Sequence, residues 1–386
     1  TVHATFGDRA AALAAYEESM VLRRGLASRD PNNAVWQRDV SVSLDKIGDV
    51  RSAMGERAAA LAAYEASLAV RRDLARRDPD NAGVQRDVSV ILDRIGDMQA
   101  TLGDRAAALA AYEEALALRR AFVRRDPANT IWQRDLAIGL TRIGDMRAAM
   151  GETAAALAAY EESLTVRHGL VRLAPDNAVW QRDLSIGLNK VGETLLAMRD
   201  RRAALSAFEE SLAIRRGLAR RDPDNAEWQR DLTVGIERVA DVRAAMGEKA
   251  VALAAFEESL ALRRGLALRD PNSTRWQRDV SISLEKLGAV RAGMGEQAAA
   301  KAAYEEGLAI ARALLRRDPD SAIFMVDLVQ ALFLTATATS DVETRRVLLL
   351  EAQEMLQRPE TRNRLTKAQQ TWPGLIEGEL AKLPPP

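Results

Sequence analysis

The sequence contains no cysteine, and its 386 residues include only two histidines. Disulfide bonds, thiolate metal sites and cysteine nucleophiles are therefore excluded. Aromatic residues make up only 4% of the chain, and no apolar run reaches the ~18–20 residues that a membrane-spanning helix needs. The N-terminus, which begins Thr1-Val2-His3, lacks the basic and apolar segments of a secretory signal. These absences predict a cytoplasmic protein.

An excess of charge of one sign is also missing, because 55 basic residues balance 55 acidic residues. This balance excludes a nucleic-acid-binding protein that acts through bulk positive charge, and it gives no reason to expect an anionic membrane surface as a partner. The chain is instead rich in Ala, Leu, Glu and Arg, and 47% of its residues are hydrophobic. That composition is typical of an all-helical protein.

The sequence repeats itself with a period of 48 residues, and we call residues at this spacing equivalents of one another. The tripeptide Gln-Arg-Asp begins at Gln37, Gln85, Gln133, Gln181, Gln229 and Gln277. A proline keeps the same period at Pro31, Pro79, Pro127, Pro175, Pro223, Pro271 and Pro319. Repetition at a fixed period indicates a stack of similar structural elements.

One repeat, from Asp30 to Asp78, has the pattern of a helical hairpin. Asp30-Pro31-Asn32-Asn33 is a turn that ends in a helix N-cap. A first helix is predicted from Ala34 to about Met54 and a second from about Arg57 to Arg77, with Gly55 between them at a positive φ. Apolar stripes at helical spacing run along both: Val40, Leu44, Ile47 and Val50 on the first, and Leu61, Tyr64, Leu68 and Leu74 on the second.

A glycine recurs in the middle of most first helices, where it costs roughly 1 kcal/mol relative to alanine. Its positions are Gly48, Gly96, Gly144, Gly192 and Gly288, with Ala240 as the one substitute. Because alanine is accepted once, a close contact with a neighbouring helix explains this glycine better than a kink does.

The residues Leu44-x-x-Ile47-Gly48, Gly55, Ala60-x-x-x-Tyr64, Ser67 and Pro79 resemble the tetratricopeptide repeat. The repeat here is longer than the ~34 residues usual in that family, and it is similar to the extended repeats of kinesin light chains and bacterial multidomain proteins. The resemblance implies an all-α fold: an α-solenoid of antiparallel helix pairs, wound as a right-handed superhelix. It also implies that first helices line a concave groove for proteins or peptides.

The repeat array is predicted to cover residues 1–340, and residues 341–386 to form an atypical helical C-terminal cap. Thr1–Gly7 aligns with Asp49–Gly55, so the first repeat is truncated at its N-terminus. We therefore expect further sequence upstream, which would make the chain the C-terminal sensor or interaction arm of a larger, bacterial multidomain protein.

Nothing in the sequence favours catalysis. His168 stands where other repeats carry arginine, and no phosphate loop, dinucleotide fingerprint, zinc-binding motif or nucleophile elbow is found. We predict no enzymatic activity, no cofactor and no metal. The tryptophans at the start of first helices are predicted to pack between repeats rather than to stack bases or sugars: Trp36, Trp132, Trp180, Trp228 and Trp276.

Acidic residues of the first helices are the best candidates for partner binding. Asp45 and Asp49 are four residues apart and share one helix face, which by the resemblance lines the groove. The candidate residues are Asp45, Asp49, Asp93, Asp97, Asp145, Glu193, Glu237, Asp241 and Glu285. Arg38 and its equivalents would form a basic band beside this acidic band.

Two interpretations of these charges remain open. In the first, the charges form a slot for a partner segment with basic side chains. In the second, Arg–Asp pairs join successive first helices and bind no partner. Strict recurrence favours the second interpretation for Arg38 and Asp39, whereas neither is favoured for Asp45 and its equivalents. The predicted function is a non-catalytic scaffold that recognises a protein or peptide, and the alternative is a structural self-assembly or oligomerisation element. No nucleic acid or membrane is expected as a partner.

Overall fold

The computed structural model describes residues 6–366 and 369–385. These residues form helices joined by short turns, and no strand occurs among them. The chain divides into two compact units, an N-terminal unit up to Asp200 and a C-terminal unit from Arg201. Within each unit, consecutive helices pack in pairs, which is the all-α solenoid class that the sequence predicts.

The helices of the N-terminal unit follow the predicted hairpin boundaries closely. They are α1 (Phe6–Arg29), α2 (Ala34–Ala53), α3 (Arg57–Arg77), α4 (Ala82–Leu102), α5 (Arg105–Arg125), α6 (Thr130–Ala149), α7 (Thr153–Leu173) and α8 (Ala178–Ala197). Even numbers are first helices of the repeat and odd numbers are second helices. The predicted alignment of Thr1–Gly7 lies largely outside the described residues.

The C-terminal unit continues the same alternation as far as α14. Its elements are α9 (Arg201–Arg221), α10 (Ala226–Ala245), α11 (Lys249–Arg269), α12 (Thr274–Gly293), α13 (Gln297–Arg317), α14 (Ala322–Thr337), α15 (Val342–Gln357), α16 (Pro359–Arg362), a short 3-10 turn (Gln369–Thr371) and α17 (Trp372–Ala381). Among the described helices, none has both the length and the apolar character that crossing a bilayer requires.

The turn chemistry explains where the helices begin and end. At the start of α2, the Asn33 side chain accepts a hydrogen bond from the backbone N–H of Trp36 at 3.2 Å, which satisfies one free donor of the first turn. At the end of α2, Gly55 adopts φ +84°, a conformation in which a side chain would be strained. Both features confirm the sequence prediction.

The mid-helix glycines allow an aromatic ring of the second helix to lie against the first. A Cβ placed on Gly96 would lie 2.5 Å from Cε1 of Tyr112, and one on Gly288 would lie 2.5 Å from Cε1 of Tyr304. Any side chain at these positions would therefore displace the ring. The predicted close contact is confirmed, and in the Gly96 repeat the Tyr112 hydroxyl donates a hydrogen bond to Asp97, the residue after the glycine.

The helices after Ala338 cover the outer side of α14. Leu348 and Leu349 of α15 are buried together with Leu328 and Leu332 of α14, and Ile376 of α17 joins the same cluster. This packing removes apolar surface from water at the end of the array. The boundary between array and cap at residue 340 stays a prediction, because the division into compact units falls after Asp200 instead.

Candidate functional site

Asp45 is buried and held by residues of the second helix. Its carboxylate forms an ion pair with Arg71 and accepts a hydrogen bond from Ser67 Oγ at 2.6 Å. Burial raises the pKa of Asp45, and the neighbouring Arg71 guanidinium opposes that rise. Equivalent pairs are Asp93–Arg119 at 2.6 Å and Glu237–Arg263 at 3.1 Å. These carboxylates are buried and already paired with an arginine, so they are not presented to a partner.

Three repeats lack this buried pair, because the acid position holds Thr141 or Asn189 in two of them and the arginine position holds Ala311 in the third. In one, Thr141 replaces the acid, and Arg167 instead donates from Nη2 to Thr141 Oγ1 at 2.9 Å. Burial without a paired carboxylate lowers the pKa of Arg167. The Arg167 guanidinium therefore binds a hydroxyl group where Arg71, Arg119 and Arg263 pair with a carboxylate.

In the third of these repeats, Glu285 is retained but alanine occupies the arginine position at Ala311, where the side chain is only 1% exposed. Glu285 Oε2 accepts a hydrogen bond from Gln330 Nε2 at 2.7 Å. Burial, together with the nearby Asp327, raises the pKa of Glu285 to about 8. Near neutral pH this residue is therefore a protonated, uncharged carboxyl group.

Asp49 lies nearer the surface, with 37% of its side chain exposed. It accepts a hydrogen bond from Tyr64 Oη at 3.0 Å and pairs with Arg94 of the next first helix. Burial and the adjacent carboxylate raise the pKa of Tyr64 to about 12, which keeps its hydroxyl a donor. The equivalent ion pairs are Asp97–Arg142, Asp145–Lys190 and Asp241–Lys286. Glu193 lies half-buried at the equivalent position on α8.

A second series of ion pairs joins the N-terminal halves of successive first helices. Arg38 Nε donates to Asp87 at 3.0 Å, and both residues belong to first helices of neighbouring repeats. The equivalent contacts are Arg86–Asp135, Arg134–Asp183 and Arg230–Asp279 at 2.6 Å and Arg278–Asp327 at 2.5 Å. The predicted Arg–Asp pairs between successive first helices are therefore present in the structure.

An apolar stripe lies between these two ladders, and the sequence reasoning did not single it out. Val42 lies one turn after Arg38 and one turn before Lys46, so all three residues share a helix face. Val42, Val90 and Ile186 are 36%, 37% and 37% exposed. We call the set the Val/Ile stripe: Val42, Val90, Ile138 and Ile186 in the N-terminal unit, and Val234 and Ile282 in the C-terminal unit. Its recurrence every 48 residues was visible in the sequence.

Two of the tryptophans at the first-helix starts, Trp36 and Trp132, pack between repeats, as predicted. The Trp132 ring lies 5.6 Å from that of Phe122 on the preceding helix, centroid to centroid. Trp36 packs, partly buried, on the cluster that contains Met20 of α1 and Val40 of α2.

The described residues also contain no group of His, Asp and Glu side chains arranged to hold a metal ion. The charges and the Val/Ile stripe of the first helices are therefore the candidate site.

Comparison with known proteins identifies the repeat. Residues 91–122 match the tetratricopeptide repeat family model, and no curated protein matches the chain. BtubC (BKLC) from P. vanneervenii is similar in structure, with a TM-score of 0.52 and 20% identity over 67% of this chain and 92% of that chain. The apo form of RapI gives a TM-score of 0.55 at 13% identity, over 85% of this chain and 80% of that chain. At these identities the likeness shows a shared fold.

Proposed function

Because the chain carries tetratricopeptide repeats, we propose that it is a non-catalytic scaffold that recognises a protein or peptide segment through its first helices. Repeats of this family typically mediate protein–protein interaction. We define the first-helix face as the Val/Ile stripe and the ion-pair ladders on either side of it. The proposal concerns this face within each compact unit.

The observation that carries the proposal is the exposure of the Val/Ile stripe. This repeated row of β-branched side chains is apolar surface that no described residue covers fully, since three of its members are 36–37% exposed and the other three are half-buried. Contiguous apolar surface with a polar border is characteristic of interaction sites. Burying one Val or Ile side chain contributes about 1 kcal/mol or more, so several in a row support specific binding.

The ladders suggest which partner chemistry this face accepts. Asp49, Asp97, Asp145 and Asp241 already form ion pairs with an arginine or lysine side chain. Three of these carboxylates also accept a hydrogen bond from a tyrosine hydroxyl. A partner with basic side chains, which the sequence predicts, would have to displace Arg94 or an equivalent cation. We therefore propose a partner that places apolar side chains on the stripe and uncharged polar groups over the ladders. The roles as arm of a larger protein and as cytoplasmic protein stay predictions of the sequence.

Selection of peptides from a random library on the immobilised chain tests this proposal. We expect selected peptides to be rich in apolar residues, and their affinity to fall about tenfold or more for Ile186→Asp, which is ~1.4 kcal/mol. Leu173→Asp is the matched control, because Leu173 is 66% exposed on the second helix α7. Equal affinity for both variants would contradict the proposal. A mass that rises with concentration in light scattering, with no peptide selected, would favour self-assembly instead.

A further inference from the structure

A cleft opens between α14 and α17, where the first-helix face of the C-terminal unit ends. It encloses about 290 Å³. Seven side chains line it: Val329, Gln330, Phe333, Leu334, Trp372, Leu375 and Ile376. Gln330 is the one polar side chain among these seven, so the walls of the cleft are mostly apolar.

The cleft lies where α14 carries apolar residues at two positions of the repeat that are charged in α2. Leu334 occupies the position of Lys46, and Phe333 occupies the position of Asp45. The preceding repeat has Ala289 where Asp49 stands, so it lacks the carboxylate that a cation at position 334 would bind. The ladder formed by Asp49 and its equivalents therefore ends before α14, and apolar side chains take its place, whereas the other ladder reaches α14 through Arg278–Asp327.

The cleft is also continuous with the Val/Ile stripe. Gln330 is the equivalent of Val42, and it is the one polar side chain that lines the cleft. Its amide nitrogen donates to Glu285, which has no arginine partner because Ala311 replaces it. The lining therefore presents no charged group that would attract an ionic ligand.

We propose that this cleft holds one bulky apolar side chain, of the Phe, Trp or Leu class, from the partner segment. The inference rests on the proposed function, because the side chain would anchor a peptide that continues along the stripe. A closed apolar cavity of ~150 Å³ is large enough for benzene, so the volume here admits a phenyl or indole ring. Trp372 and Phe333 supply aromatic surface against which such a ring packs favourably.

The test uses the full chain with ¹³C-labelled Ile, Leu and Val methyl groups, titrated with N-acetyl-L-tryptophanamide. We expect saturable shifts of the Ile376 and Leu334 methyl signals, and no saturable shifts there with N-acetylglycinamide. Leu375→Glu should weaken the affinity about fivefold or more, since it puts a charge at the rim, where Leu375 is 51% exposed. Leu268→Glu, at a site 80% exposed on α11, is the matched control and should bind the probe as the unaltered chain does.

Absence of saturable shifts at Ile376 and Leu334 in the unaltered chain would overturn the inference, whatever the variants do. An unchanged affinity in Leu375→Glu would overturn it as well. The outcome separates the two proposals. Probe binding without any stripe-dependent peptide would leave the cleft as a binding site and reject the scaffold function. Peptides that depend on Val234 and Ile282 of the C-terminal unit but bind equally well to Leu375→Glu would support the scaffold and reject the anchor.

Discussion

Replacing Glu285 by glutamine should stabilise the protein, although it removes a buried hydrogen-bonded side chain. Glu285 is 7% exposed and has lost its arginine partner to Ala311. Burial raises its pKa from 4.5 to about 8. Glutamine cannot ionise, and its carbonyl oxygen can still accept the hydrogen bond from Gln330.

The magnitude follows from the linkage between protonation and folding. The folded pKa of Glu285 lies above its unfolded value, so the folded state binds more protons between about pH 4.5 and pH 8. Stability is therefore fully present below the unfolded pKa and falls as the pH rises through this window. One pKa unit corresponds to ~1.4 kcal/mol, so the free energy of unfolding of the unaltered chain is lowered by about 3 kcal/mol at pH 7. Glu285→Gln should recover that amount at pH 7 and almost none at pH 4.

The equivalent substitution Glu237→Gln is the matched control. Glu237 is the same residue at the same position of the preceding repeat, but it pairs with Arg263 at 3.1 Å and Lys286 at 3.4 Å. Removal of its charge leaves the buried Arg263 without a carboxylate. We expect a loss of about 3 kcal/mol, because breaking a buried ion pair strands the remaining charge.

Hydrogen exchange of the backbone amides of α12–α14 is the appropriate assay, because long repeat arrays do not unfold as one cooperative unit. Variants and the unaltered chain are compared at the same pH, so intrinsic exchange rates cancel. Glu285→Gln should slow exchange about 100-fold at pH 7, and Glu237→Gln should accelerate it. Faster exchange in Glu285→Gln at both pH 7 and pH 4 would refute the reasoning, since it would show that the carboxyl group stabilises the fold.

Three further substitutions test the packing and the ion pairs. Gly96→Ala should destabilise α4 and α5 by about 1–3 kcal/mol in hydrogen exchange, and by less in a Tyr112→Phe background, where the ring has no hydrogen bond to hold it against the new methyl group. An equal loss in both backgrounds would contradict this account. Thr141→Asp should raise the melting temperature, because it gives the buried Arg167 a carboxylate partner worth about 1 kcal/mol of stability. A lower melting temperature would contradict this expectation. Arg94→Ala should cost at most about 1 kcal/mol, and less at 1 M salt, since its ion pair is half-exposed.

The repeat period, the helix boundaries and the contact at the mid-helix glycine could all be predicted from the sequence. Each depends on residues close together in the chain or on an exact recurrence. Gly55 ends a helix for local steric reasons, and Asn33 caps one for local hydrogen-bonding reasons. Such features need no knowledge of what lies across the molecule.

The different environments of Asp45 and Asp49 could not be predicted from their spacing. Both lie on one side of α2, but Asp45 is buried because Arg71 reaches it from the second helix, 26 residues further along the chain. One indication was present in the sequence. Arg71 lies between Leu68 and Leu74 on an apolar stripe, where a recurring basic residue requires an internal partner. The cleft beside α17 depends on how the last helices return to α14, which the repeat pattern does not encode.

The central claim is that the Val/Ile stripe is the recognition surface, and one affinity measurement tests it most directly. Peptides selected on the unaltered chain are titrated against Val90→Asp, which changes a stripe residue that is 37% exposed, and against Val21→Asp on α1, where the residue is 70% exposed. The account predicts that Val90→Asp weakens binding about tenfold or more and that Val21→Asp does not, with both variants fully folded by circular dichroism. Full affinity in Val90→Asp would contradict it.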